Sequence, residues 1–132
     1  MVSLGTNGSE GLWAAAVFYA HHDFDLYFLS SPTSRHALNI ASNPLVAATI
    51  QDDYEDWPDI KGIQMEGTVM KLEGDKSGQA IKMFRERYSF LLTAPDPIIK
   101  VLAKIQWYKL APTKMYFVDN SQGFGHRDEI QL

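Results

Sequence analysis

The segment YFLSSPTSRHALNIASN, residues 27–43, predicts a strand that passes directly into a helix. The apolar run ends at Leu29, after which Ser31 suits the N-cap and Pro32 the first helical position. Two further hydroxyl residues and Arg35 then occupy the first turn. Because a helix start presents unpaired N–H groups and a partial positive charge, these groups together match a phosphate. The alternative is an ordinary capped helix with Arg35 in solvent.

The composition narrows the class of protein. The chain has 132 residues, of which 45% are hydrophobic, and we expect a single domain over residues 1–132. The absence of cysteine excludes a disulfide framework, a zinc-thiolate site and a thiol nucleophile. A formal net charge of -4 argues against a nucleic-acid-binding protein. No apolar stretch approaches the ~20 residues that span a bilayer, so we expect a cytoplasmic protein.

The order of apolar runs and turn signals predicts an antiparallel meander that closes into a barrel, which removes exposed edges. Residues 12–20 and 25–30 are expected to form a hairpin, and residues 60–72 a strand that bends near Gly67. A long amphipathic helix is predicted after residue 75, with Ile81, Phe84 and Tyr88 on its apolar face. The other expected strands are 2–6, 45–51, 106–110 and 114–118; a short helix is predicted at 98–104 and an irregular tail at 120–132.

The order of these pieces resembles the pyridoxamine 5'-phosphate oxidase-like family of FMN-binding split barrels. The runs that carry the resemblance are LGTNGSEGLWAAAVFYA, SPTSRHALNIASNPLVAATI, GIQMEGTVMKL and IQWYKLAPTKMYFVD. The resemblance implies a mainly β (α+β) fold, a six-stranded antiparallel split β-barrel with two or three flanking helices. It also implies a homodimer with FMN at the subunit interface.

The resemblance also implies which residues bind the cofactor. It places Ser30, Ser34 and Arg35 at the FMN phosphate, the strand from Ala14 to Phe18 along the flavin ring, and Trp107 at the site from the partner subunit. The residues that it assigns to FMN are Ala15, Ala16, Val17, Leu29, Ser30, Ser31, Thr33, Ser34, Arg35, His36, Lys61, Gln64 and Trp107. For His36 an exposed helix face is the alternative, for Trp107 the core, and for Lys61 and Gln64 a solvent-facing strand position.

The sequence departs from the oxidase proper in two respects. Ala14 and Tyr19 replace basic residues that help to hold the phosphate, so Arg35 carries more of the charge compensation. The arginine and histidine motif that binds pyridoxamine phosphate has no counterpart after Trp107, and we do not expect that substrate. Tyr108 and Arg127 are candidate contacts for a different, anionic substrate.

These features predict an FMN-dependent oxidoreductase that acts on an unidentified small molecule, with no side chain evident as an acid or base catalyst. A non-catalytic flavin-binding or redox-sensing module is the first alternative. A haem-binding protein on the same fold is the second, and its axial ligand would come from His21, His22, His36 or His126. We expect no metal site, because His21 and His22 lack ligand spacing, and we expect the acidic loop at 52–59 to be solvated.

Overall fold

The computed structural model describes residues 1–88, 95, 97 and 104–132. In these residues the chain forms strands and two α-helices, while residues 98–103 of the short predicted helix lie outside the described part. The strands are β1 (Val2–Gly8), β2 (Gly11–Val17), β3 (Tyr19–His22), β4 (Asp25–Ser30), β5 (Leu45–Gln51), β6 (Lys61–Leu72), β7 (Gln106–Asp119) and β8 (Arg127–Ile130). The helices are α1 (Arg35–Ser42) and α2 (Lys76–Arg87).

The strands form one antiparallel sheet in the order β2-β1-β5-β6-β7-β4-β3, with β8 paired to β7. β2 and β3 lie at opposite ends of this order, yet Phe18 alone separates them along the chain. Val17 and Tyr19 are two residues apart, which spans at most about 7 Å, so the two ends of the sheet must approach each other. The sheet therefore curls into an open barrel, which confirms the predicted mainly β, antiparallel architecture.

The strand boundaries differ from the prediction at this closure. The run at residues 12–20 breaks at Phe18, so that β2 pairs with β1 whereas β3 pairs with β4. Only Tyr19–His22 therefore joins the hairpin that the sequence predicted with residues 25–30. The alternation of exposed and more buried side chains continues through Phe18, because the chain changes its pairing partner there without a turn.

Two further differences lie near the C-terminus. The predicted strands at 106–110 and 114–118 form one continuous strand, β7, whose pairing with β6 shifts between Glu66 and Gly67 at a bulge. Pro112 stands opposite Gly67 at this irregularity, where a missing N–H is tolerated. The tail predicted to be irregular contains β8, which pairs with the second half of β7. The side chains of β8 are mostly exposed and do not alternate, so sequence periodicity could not reveal it.

The barrel core and a second, smaller core share strand β4. Leu26 and Phe28 point into the main cluster, whereas Tyr27 packs with Leu72 and Ala80 beneath α2. β4 is therefore buried on both faces, which explains why its apolar residues run consecutively instead of alternating. Helix α2 forms where the sequence predicted it and buries Ala80 and Phe84, whereas Ile81 of the predicted apolar face is only partly buried and Tyr88 is the C-cap.

Helix α1 begins later than the sequence predicted. Ser31 and Ser34 close a turn through a hydrogen bond from Ser34 N to Ser31 O of 3.1 Å, and Pro32 lies inside that turn. Ser34 is the N-cap, because its Oγ accepts a hydrogen bond from Ala37 N. The prediction of Ser31 as N-cap was therefore wrong, since Pro32 suits the second position of a turn as well as a first helical position.

A buried amide fixes α1 against the turn between β1 and β2. Asn39 is fully buried, and its side chain donates to Thr6 Oγ1 and Gly11 O and accepts from Glu10 N. Gly8 allows this close approach, because a Cβ there would lie 2.5 Å from Asn39 O. These contacts fix the position of α1 relative to the β1–β2 hairpin.

We expect Gly8→Ala to lower the free energy of unfolding by about 3 kcal/mol, since its Cβ would collide with α1 backbone atoms that cannot move aside. The matched control is Gly78→Ala in α2, where a Cβ meets nothing within 4 Å. That variant should be more stable by about 0.5–1 kcal/mol. Urea unfolding followed by tryptophan fluorescence measures both. Equal stability of Gly8→Ala and the unmodified protein would contradict this account of how α1 is seated.

Candidate functional site

A cluster of two hydroxyls and one imidazole lies where β4 ends and α1 begins. Ser30 Oγ lies 3.3 Å from Ser34 Oγ and also contacts His36 Nε2. His36 Nε2 lies 3.3 Å from Ser34 Oγ, so the three groups form one hydrogen-bonded set. Ser30 is buried at the end of its strand. The structure thus brings together three of the residues that the resemblance assigned to FMN.

Two more hydroxyls lie on the exposed side of this cluster. Ser31 Oγ and Thr33 Oγ1 are 3.0 Å apart, and both residues are exposed. Neither side chain caps α1, since Ser34 fills that role. Ser31 Oγ accepts a hydrogen bond of 3.4 Å from Thr33 N within the turn, and both hydroxyls remain accessible to an anion.

Burial lowers the pKa of His36 below the ordinary value for histidine. The imidazole is therefore neutral near pH 7, and in that state it supplies one donor and one acceptor. An anion bound beside it would favour the protonated ring and oppose this shift.

Arg35 extends from α1 towards the β1–β2 hairpin. Its Nη2 donates to Glu10 O at 2.9 Å and to Leu12 O at 3.3 Å, and its guanidinium carbon lies 4.2 Å from the centre of the Trp13 ring. The side chain is exposed. Arg35 therefore places its positive charge against the β1–β2 hairpin, which it stabilises.

Strand β2 forms one side of an open groove on the outer face of the sheet, of about 800 Å³, which we call the outer groove. Ala14 lines it, whereas Ala15 and Ala16 lie further along β2 and Val17 is buried. The residues that line the outer groove are Gly5, Thr6, Asn7, Leu12, Trp13, Ala14, Asn43, Leu45, Val46, Ala47, Glu66, Gly67 and Thr113.

A second group of predicted residues lies across the sheet. Gln64 is exposed on β6, and its Oε1 accepts a hydrogen bond of 3.4 Å from Arg127 Nη1. The Arg127 guanidinium carbon lies 4.4 Å from the centre of the Tyr116 ring. These residues border a pocket of about 200 Å³, the polar pocket, lined by Ala47, Gln64, Met65, Glu66, Lys114, Tyr116 and Arg127. Lys61 is exposed at the start of β6, opposite Asp119.

Three predicted site residues are wholly or partly buried by other side chains of the chain. Trp107 packs in the cluster beneath α2, with its ring edge-on to Phe84 at 5.1 Å between centroids. Tyr108 is 5% exposed and stacks on Phe28, and its burial raises the pKa of the phenol. Leu29 is partly buried opposite Trp107. Tyr108 is therefore a core aromatic that does not border an exposed site, whereas Trp107 is partly buried against the cluster beneath α2.

The histidines do not assemble a metal site. Within the described residues, no group of three or more histidine and carboxylate side chains converges as a metal ion requires. His21 and His22 end strand β3 and do not lie in the turn that the sequence predicted for them, while His21 Nδ1 lies 3.1 Å from Asp23 O. His126 Nε2 lies 3.0 Å from Asp128 Oδ2. None of the described helices is long and apolar enough to cross a lipid bilayer.

The sequence did not reveal three residues that shape this region. Trp13 is an exposed aromatic that holds Arg35, Asn39 is a buried polar residue inside a helix, and Tyr116 holds Arg127. Asn39 lies between the buried Ala37 and Ile40, and a polar residue on an apolar helix face is a usable signal. Trp13 and Tyr116 depend on contacts between distant segments, which leave no local pattern.

Solved structures with the same fold place this architecture in a class. HutZ, the haem storage protein of Vibrio cholerae, is 21% identical, with a TM-score of 0.73 over 94% of this chain and 87% of that chain. A Listeria innocua protein provisionally described as a pyridoxamine 5'-phosphate oxidase is 15% identical, with a TM-score of 0.65 over 86% of this chain and 84% of that one. The chain therefore has a split-barrel fold of the pyridoxamine 5'-phosphate oxidase-like type.

Curated relatives are closer in sequence. UPF0306 protein YhbP of Escherichia coli O157:H7 is 30% identical over 121 residues, which cover 88% of this chain and 74% of that protein. The chain belongs to the UPF0306 family. No family model matches it.

We expect the stability of the protein to fall as the pH drops from 7 to 5, and His36→Gln to reduce that fall. Because burial lowers the pKa of His36 in the folded state, the unfolded chain binds more protons near pH 6, and stability rises with pH there. Unfolding by urea at several pH values measures this slope. His22→Gln is the control, because that side chain is 60% exposed. An unchanged slope in His36→Gln would show that burial of this imidazole does not affect stability.

Proposed function

We propose that this protein binds FMN, with the phosphate at the start of α1, and acts as an oxidoreductase on a small molecule other than pyridoxamine phosphate. The observation that carries the proposal is the convergence of Ser30, Ser34 and His36 where β4 meets α1. The resemblance to FMN-binding split barrels, stated from the same residues, supports the choice of ligand.

The hydrogen-bond donors and the positive charges at the start of α1 suit a phosphate. The exposed hydroxyls of Ser31 and Thr33 and the N–H groups of the first helical turn supply donors. Arg35 directly follows the N-cap Ser34, and its hydrogen bonds to the hairpin use only Nη2, which leaves Nε and Nη1 as donors for an anion at this end of α1. A protonated His36 would add a second positive charge once an anion is bound.

FMN, when bound, supplies the electron transfer, and the chain supplies position and electrostatics. The phosphate site formed by Ser30, Ser34 and His36 at the start of α1, which we call the phosphate seat, fixes one end of the cofactor. The small side chains of Ala14, Ala15 and Ala16 leave the backbone of β2 accessible to a flat ring. Gln64 and Arg127 are exposed near Ala47 on the same outer face, where a substrate could be oriented.

We also propose a homodimer, as the resemblance implies. Leu12 and Leu45 at the rim of the outer groove are 77% and 65% exposed, which favours their burial by another subunit. A second subunit would enclose the groove as a cavity. Light scattering on the purified protein measures its mass, and a monomer at micromolar concentration would contradict the proposal.

The phosphate seat predicts that the protein prefers FMN to riboflavin, which has the same ring without the phosphate. Arg35→Gln should weaken FMN binding about tenfold to hundredfold, because a charged hydrogen bond is worth about 1.5–3 kcal/mol. Riboflavin affinity should change less than twofold. Flavin fluorescence quenching measures both ligands on one preparation.

Arg85→Gln is the matched control, since Arg85 is exposed on α2 and the same charge is removed there. This control should bind FMN like the unmodified protein. If Arg35→Gln lowers the affinities for FMN and riboflavin equally, Arg35 acts only on the hairpin. If the unmodified protein binds the two flavins equally tightly, the start of α1 does not bind the phosphate. Reduction of bound flavin by nicotinamide cofactors, followed by stopped flow, distinguishes an oxidoreductase from a flavin-binding module.

Haem is the second candidate ligand, because HutZ is a haem storage protein with the same fold. His126 is the histidine that we would assign as axial ligand. Its Nε2 lies 3.0 Å from Asp128 Oδ2, and metal-ligating histidines commonly have a carboxylate at the other ring nitrogen. Absorption spectra after addition of FMN or haemin separate the candidates. We expect stoichiometric uptake of FMN; a Soret shift with haemin that His126→Ala abolishes, without FMN uptake, would establish the haem function instead.

A further inference from the structure

The outer groove has a floor with almost no side chains. Gly5 on β1 stands opposite Ala14 on β2 and opposite Ala47 on β5, so the three residues form one row across the sheet. Leu12 and Leu45 are highly exposed beside this row. A flat floor between apolar rims accommodates a flat apolar molecule, and the groove volume of about 800 Å³ lies in the range of small-molecule sites.

The same row continues from the apolar floor into charged residues. Ala47 stands opposite Glu66 on β6, and Glu66 stands opposite Lys114 on β7. Ala47 and Glu66 line both the outer groove and the polar pocket, so the two spaces adjoin at these residues. Among the described residues that line the polar pocket, Lys114 and Arg127 are cations and Glu66 is an acid. The polar pocket therefore carries a net positive charge.

Arg127 is held in position at this end. Its guanidinium lies over the Tyr116 ring, and Nη1 donates to Gln64 Oε1. These contacts use one ring face and one nitrogen, which leaves donors on an exposed planar group. A planar guanidinium matches a carboxylate in geometry, and a side chain that is already ordered loses less entropy when it binds.

We propose that the outer groove and the polar pocket together bind a flat apolar molecule that carries a carboxylate. The apolar body lies on Gly5 and Ala47, next to Ala14 on the strand that we assign to the flavin ring, and the carboxylate contacts Arg127 and Lys114. This inference rests on the proposed function, since it names the class of substrate that would bind beside the flavin. The positive charges at one end and the bare apolar floor at the other define the two parts of that ligand.

The test compares 2-naphthoate with 2-naphthamide, which has the same ring system and a neutral head group. Calorimetry on the purified protein should show that naphthoate binds more tightly than naphthamide. Arg127→Gln should weaken naphthoate about tenfold and leave naphthamide within twofold. Tyr116→Leu should also weaken naphthoate selectively, because Arg127 then loses its support. Amide shifts in nuclear magnetic resonance spectra should include Ala47 and Tyr116.

Arg85→Gln on α2 is again the matched control and should leave naphthoate binding unchanged. The inference is overturned if naphthoate does not bind, as when a second subunit fills the groove. It is also overturned if Arg127→Gln weakens both probes equally or neither. Flavin binding is measured on the same preparations. Selective binding of naphthoate without uptake of FMN would contradict the proposed function and support this site. Uptake of FMN without selectivity for naphthoate would support the proposed function and contradict this site.

Discussion

The seating of α1 on the β1–β2 turn is the constraint on which the proposed site depends. Asn39 satisfies three polar groups of that hairpin from a position with no solvent access, and Gly8 leaves room for the helix backbone. A buried polar group without its partners is costly, so the helix cannot rotate or slide without breaking this set. The N-terminus of α1 is therefore fixed relative to β2.

This constraint connects the two parts of the site. Ser34 caps α1 at the end where Ser30 and His36 meet, and Arg35 reaches from the same turn to the carbonyls of Glu10 and Leu12. The hydroxyl cluster and the alanine strand belong to segments that are distant in sequence. They act together only because helix and hairpin are held as one unit. Closure of the sheet through Phe18 then holds β2 near β4.

Several features could be predicted from sequence alone because their signals are local. Propensity and periodicity indicate a strand followed by a helix in residues 27–43. They also indicate the irregularity at Gly67 and the amphipathic character of α2. The local pattern predicted Ser34 at the start of the helix, the family resemblance added Ser30 and His36, and these three side chains do converge. The fold class and the family resemblance were accessible for this reason.

Other features could not be predicted because they depend on partners far along the chain. Trp107 and Tyr108 are adjacent on β7 and face opposite cores, and only the position of α2 decides that Trp107 packs beneath a helix. The exposed strand β8 has no alternation to detect, although it carries Arg127 to Tyr116. Ser31 and Ser34 are both acceptable N-caps by type, and the turn around Pro32 decides between them.

The most direct test of the central claim is a pair of amide nuclear magnetic resonance titrations, one with FMN and one with riboflavin. If the start of α1 holds the phosphate, FMN should shift the amides from Thr33 to Ala37, and riboflavin should leave them in place while both ligands shift residues of β2. Identical shifts with the two flavins, or FMN shifts confined to segments away from α1, would contradict the account.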